Sequence, residues 1–130
     1  MEALTNVRVP AYDIEDGRRI WFSRGRYGDL FMKDVVRGAT AVPTYLPPVA
    51  IPVQPRVSKK GYVALVDGAL FANNPTLEAL DVAEGLRSRK DQTLLLLSVG
   101  TGKGVTSHSF KKAWGWGTLG WLNPLLDIAF

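Results

Sequence analysis

The chain has 130 residues, of which 46% are apolar and 22% charged, proportions that suit a soluble globular domain with a core of its own. Sixteen Lys plus Arg against twelve Asp plus Glu leave a formal charge of +4. There is no cysteine, which excludes disulfides, thiolate metal sites and cysteine nucleophiles, and the single histidine, His108, excludes a multi-histidine metal centre.

The basic residues stand in small pairs, such as Arg24 with Arg26, Lys59-Lys60 and Lys111-Lys112, without the stripe that marks a nucleic-acid track. No nucleic-acid partner is expected, and a solvated surface is the ordinary reading. An anionic membrane surface is the alternative use for these cations. The N-terminus lacks the basic-then-apolar pattern of a signal peptide, and no apolar run approaches the ~20 residues of a membrane span. The expected location is the cytoplasm, peripheral to membranes where those cations act.

In chain order, Val7 to Ile14 and Arg18 to Ser23 read as strands joined by Glu15-Asp16-Gly17, a hairpin signal. Asp29 is placed to cap a helix from Leu30 to about Gly38, with Leu30, Phe31, Val35 and Val36 on its apolar face. The small-residue stretch Gly38-Ala39-Thr40-Ala41 lets a helix end approach another backbone closely, and Pro43, Pro47 and Pro48 follow it. Val49 to Val53 is a candidate edge strand, because Pro52 removes a ladder donor. Gln54 to Gly61 is a polar, basic loop, and Tyr62 to Val66 a buried strand.

That strand delivers Asp67 onto Gly68. The carboxyl end of a strand is where chemistry collects in open α/β sheets, and glycine lets the backbone turn there. Asp67 is therefore a candidate base; a turn-capping aspartate is the ordinary alternative. Asn74 as N-cap with Pro75 at the first helical position starts a second helix, with Leu77, Leu80, Val82, Ala83 and Leu86 as its apolar face. Arg87, Arg89 and Lys90 suit its negative end. Thr93 to Val99, with four consecutive leucines, reads as a strand buried on both faces. Together with the Asp67 strand and the helix between them it predicts one βαβ unit.

Gly100-Thr101-Gly102-Lys103-Gly104 fails the phosphate-loop pattern, because Leu97 stands where the first glycine belongs and Gly104 where Ser or Thr belongs. A tight turn leaving a strand is preferred, with a nucleotide-binding domain as a distant alternative. The tail Ala113 to Phe130 carries Trp114, Trp116 and Trp121 among leucines. The segment 105–130 is read first as a cover for the sheet, and otherwise as an acyl-chain entry or a membrane-interface element. Both ends read as cut, and neither an internal repeat nor a second domain is evident.

Three segments in order carry a resemblance. They are Arg37-Gly38-Ala39-Thr40-Ala41-Val42-Pro43-Thr44-Tyr45-Leu46-Pro47, then Val66-Asp67-Gly68-Ala69 with Ala72-Asn73-Asn74-Pro75-Thr76, and then Leu97-Ser98-Val99-Gly100-Thr101-Gly102. Over roughly residues 5 to 104 the chain resembles the C-terminal portion of a single patatin-like phospholipase domain, to which residues 1–130 are assigned. The resemblance implies an α/β fold, a three-layer α/β/α sandwich of which the second half is present, with a mostly parallel or mixed sheet and an N-terminal hairpin. It implies acyl-ester hydrolysis of phospholipids or related lipids by a Ser-Asp dyad without cofactor or metal. Asp67 would be the dyad aspartate, with Gly68, Ala69, Asn73, Asn74 and Pro75 as motif support.

The chain departs from that family in one respect. None of Ser23, Ser58, Ser88, Ser98, Ser107 and Ser109 stands in a Gly-x-Ser-x-Gly elbow, and the glycine-rich oxyanion loop is absent too. The expected partners are therefore a lipid substrate and the missing N-terminal half of the domain, on the same or a separate chain. The 130-residue chain alone is expected to be inactive. A non-catalytic segment that folds and acts only with a partner segment is the alternative.

Overall fold

A computed structural model describes residues 3–88, 93–102, 104 and 106–129. Arg89, Lys90 and Lys103 of the readings above lie outside the described residues. Two units, Met1–Leu96 and Leu97–Phe130, separate along the chain.

The first unit is built on four strands: β1 (Val9–Asp13), β2 (Arg18–Phe22), β3 (Val49–Pro52) and β4 (Tyr62–Asp67). Their order is β2-β1-β4-β3, and every pairing is antiparallel. The expected hairpin forms, with Val9 opposite Phe22 and Asp13 opposite Arg18, and Gly17 takes the left-handed turn position at φ 62°. β3 takes the expected edge position, with its Pro52 opposite Tyr62.

The parallel or mixed sheet is not what forms. A hairpin joins β1 to β2 and a return loop joins β3 to β4, and the two antiparallel pairs meet along β1 and β4, again antiparallel; a parallel pair would need a crossover. The one expected crossover was the βαβ unit ending in Thr93–Val99. The residues of that run carry no strand structure, and Leu95 and Leu97 are 97% and 83% exposed. A strand buried on both faces takes its state from its neighbours, and none among the described residues pairs with it.

Alternation along the strands sends Ala11, Ile20, Phe22, Ile51, Val63 and Leu65 to one face. There they meet Tyr27 of α1 (Arg24–Tyr27), Leu30, and Val35 and Ala39 of α2 (Met32–Ala39). Fully burying a side chain such as Phe22 or Leu65 contributes about 1.5–3 kcal/mol. Helix α2 starts later than its sequence suggests, after Phe31, with no side-chain cap. Asp29 does not cap it, and its carboxylate faces Arg56 instead, at 3.8 Å. Of the expected apolar face only Leu30 and Val35 are buried, while Phe31 and Val36 are exposed.

Beyond β4 follow the single turn α3 (Ala69–Ala72) and helix α4 (Thr76–Leu86). Pro75 is the N-cap residue of α4 by backbone geometry, one position later than expected. Asn74 nonetheless does a cap's work, its Oδ1 accepting from the backbone N–H of Thr76 at 3.1 Å and from the Thr76 hydroxyl. Leu77, Leu80 and Leu86 on the expected apolar face are exposed.

The second unit contains α5 (Phe110–Ala113), α6 (Gly117–Gly120) and α7 (Leu122–Ala129). Among the described residues no helix is long and apolar enough to cross a membrane.

Candidate functional site

Asp67 is the last residue of β4 and lies opposite Ala11 of β1. Val63, Ala64, Leu65 and Val66 before it are all buried, so the strand that aims this carboxylate is fixed on both faces. The carboxylate is half-buried. Its Oδ1 accepts from the backbone N–H of Ala69 at 2.7 Å. Among the described residues that is the one hydrogen bond recorded for the side chain.

The small-residue stretch forms the wall behind it. The N–H of Asp67 donates to the carbonyl of Ala41 at 3.0 Å, and the N–H of Gly68 donates to that of Ala39 at 3.3 Å. These bonds continue β4 past its last strand partner and satisfy backbone groups that burial would otherwise strand. Two glycines permit the approach. A methyl group on Gly38 would stand 2.7 Å from Leu65 Cδ1, and one on Gly68 would stand 2.3 Å from the carbonyl oxygen of Pro10. The expected close approach of the helix end therefore occurs, and within this chain the neighbour is the Asp67 strand itself. The role of the carbonyls of Ala39 and Ala41 was not legible from the sequence; the run of small residues was its one signal.

Gly68 and Ala69 thus serve Asp67 directly. Asn73, Asn74 and Pro75 instead carry the chain from α3 into α4. Pro75 also lines a groove of about 370 Å³, together with Thr5, Arg8, Trp21, Val82 and Leu86. Arg8 and Glu78 close across this groove at 2.8 Å, and Asp67 is not among its lining residues. Beside it Phe71 of α3 meets Trp21 edge-on at 5.7 Å, tying α3 to β2.

A second carboxylate was not singled out by the sequence. Asp13 is completely buried and accepts from Arg18 Nε at 3.3 Å, from the N–H of Ala64 at 3.3 Å and from the N–H of Glu15 at 3.2 Å. These bonds make it a joint between β1 and β4. On the surface beside it, the Glu15 carboxylate accepts from Lys60 Nζ at 2.7 Å and from the Tyr62 hydroxyl at 3.2 Å. The bonds from Lys60 and then Tyr62 hold the Glu15 carboxyl below its usual range, and the bond to Glu15 raises both Lys60 and Tyr62. Among the described residues no three His, Cys, Asp or Glu side chains gather as a metal site.

No family model matches the chain. Individual proteins do. Patatin-like protein 1 of Arabidopsis thaliana is 32% identical over 98% of this chain, which spans 36% of that protein. The chain is a homologue of part of a patatin-like protein. Patatin group A-2 of Solanum tuberosum is 30% identical over 93% of the chain, again 36% of its own length. Probable inactive patatin-3-Kuras 1 of the same plant is 28% identical over 98% of the chain and 39% of its length. The chain thus spans well under half of each of these relatives.

Proposed function

We propose that the protein carrying this chain is a lipid acyl hydrolase that cleaves acyl esters of phospholipids or related lipids by a Ser-Asp dyad. In this reading Asp67 is the dyad aspartate, and the serine and oxyanion donors lie outside these 130 residues. One observation carries the reading. Asp67 stands at the end of a buried strand, its backbone tied to the small-residue stretch and one carboxylate oxygen fixed by Ala69.

The chemistry follows from that placement. A serine hydroxyl is a weak nucleophile and needs a base beside it. A carboxylate with an ordinary pKa near 4 is a poor base, unless the site desolvates it or reserves it for the charged intermediate. Oδ1 is engaged by Ala69, so Oδ2 is the atom placed to take the serine proton as the acyl-serine forms and to return it to the leaving alcohol. Hydrolysis of the acyl-serine repeats the cycle, with water in the serine's role.

Fluorophosphonate labelling of the intact protein, read by intact mass, tests this. The reading requires one adduct on a serine outside these residues. Absence of any adduct on a folded protein would contradict it.

A second reading has its own support. The leucines of 94–97 are exposed, and one relative is named probable inactive. A non-catalytic segment that acts only when docked on a partner segment would show both features. It predicts the same fold in the intact protein and no turnover.

A further inference from the structure

The tryptophans of the second unit do two different jobs. Trp116 meets His108 edge-on at 5.3 Å and Trp121 edge-on at 5.0 Å. Gly120 lies so close beneath it that a methyl group there would stand 2.6 Å from Trp116 Cβ. These residues hold the unit together. Trp114 takes no part in that cluster. It pairs with Phe110, one helical turn away, at 5.6 Å, and the two rings are 81% and 74% exposed. Between them stand Lys111 and Lys112, both exposed.

Two outward aromatic rings flanking two cations suit one environment better than bulk water. Tryptophan and phenylalanine settle at the boundary between headgroups and acyl chains. Lysine carries its ammonium group out to the headgroups on an apolar stem, and each adds an attraction to anionic lipid. The charge of the surrounding segment agrees: the sequence from Leu97 to Phe130 holds three lysines and one acidic side chain, Asp127. Further along, Leu122, Leu125 and Ile128 leave a second exposed apolar stripe on α7.

From this we infer that the Phe110–Trp114 face docks on an anionic lipid bilayer, rings inserted at the interface and Lys111 and Lys112 on the headgroups. The inference stands apart from the hydrolase reading, because its readout is binding. The test is co-sedimentation of the intact protein with phosphatidylcholine vesicles, with and without phosphatidylserine. The protein should sediment with the anionic vesicles at low salt and be released at high salt, where the attraction is screened. Lys111→Gln with Lys112→Gln should weaken binding by roughly an order of magnitude or more. Phe110→Ser with Trp114→Ser should weaken it at least as much, with the far-ultraviolet spectrum unchanged because all four side chains are exposed. The salt dependence needs no variant, so a poorly folding variant does not rescue the idea. Absence of sedimentation with anionic vesicles overturns the inference, as does sedimentation that neither salt nor either pair of substitutions alters. Dimerisation lost in the same variants, without lipid binding, overturns it in favour of a second copy of the chain.

Discussion

Gly38 of α2 rests on Leu65 of β4 so closely that a methyl group on the glycine would stand 2.7 Å from Cδ1 and 2.9 Å from Cβ of the leucine. Leu65 is completely buried and lies two residues before Asp67, so this contact sets how near the helix comes to the candidate catalytic strand.

A helical glycine replaced by alanine ordinarily gains about 0.5–1 kcal/mol of stability. Overpacking a filled core costs about 1–3 kcal/mol. Leu65 has no free side to yield into, so the cost wins. Gly38→Ala should destabilise the intact protein by about 1–2 kcal/mol, read as a lowered denaturation midpoint at unchanged slope. A stabilised variant would show that the helix is not held against the strand in this way.

Asp13 closes three donors at once, among them the buried N–H of Ala64. Removing its charge strands that N–H and takes a partner from Arg18, which is partly exposed and keeps Asp16 at 3.5 Å. Asp13→Ala should therefore cost about 2–3 kcal/mol, less than the loss of a wholly buried ion pair. A change below about 0.5 kcal/mol in urea titration would contradict the joint between β1 and β4.

The Glu15–Lys60–Tyr62 network predicts a stability profile with two shoulders. Glu15 is lowered in the folded state, so its contribution is present above the ordinary carboxylate pKa and is lost as pH falls through the lowered value. Lys60 and Tyr62 are raised, so theirs is present below their ordinary values and is lost as pH rises through the raised ones. The groups are exposed, so both shoulders are small. Glu15→Gln should leave the mid-range melting temperature nearly unchanged and flatten the profile below about pH 4 and above about pH 10. Melting curves of the two proteins across that range decide it; parallel profiles would rule the network out.

How far the fold was legible follows from where each signal resides. Asp16-Gly17 and Pro52 carry their meaning locally, and the hairpin and the edge strand stand where those residues put them. Asn74 marked a helix start to within one residue for the same reason. The Asp29 cap failed because the helix begins only after Phe31, which leaves Asp29 two residues outside the capping position. The leucine run failed more completely, since four leucines have no period of their own and only flanking strands could make them one. At the site, Asp67 and Gly68 were legible as a strand end with a sharp turn. The carbonyls of Ala39 and Ala41 that hold them were not, because backbone acceptors leave no mark on residue type.

Whether Asp67 is the dyad aspartate is decided by Asp67→Asn in the intact protein. Asparagine keeps an Oδ1 for the N–H of Ala69, so the turn after β4 should survive and the melting temperature should stay close to that of the parent. Its amide cannot take the serine proton, so kcat on a soluble acyl ester should fall by about 10³-fold or more. Near-normal turnover by the folded variant would contradict the assignment and leave Asp67 as the cap of a turn.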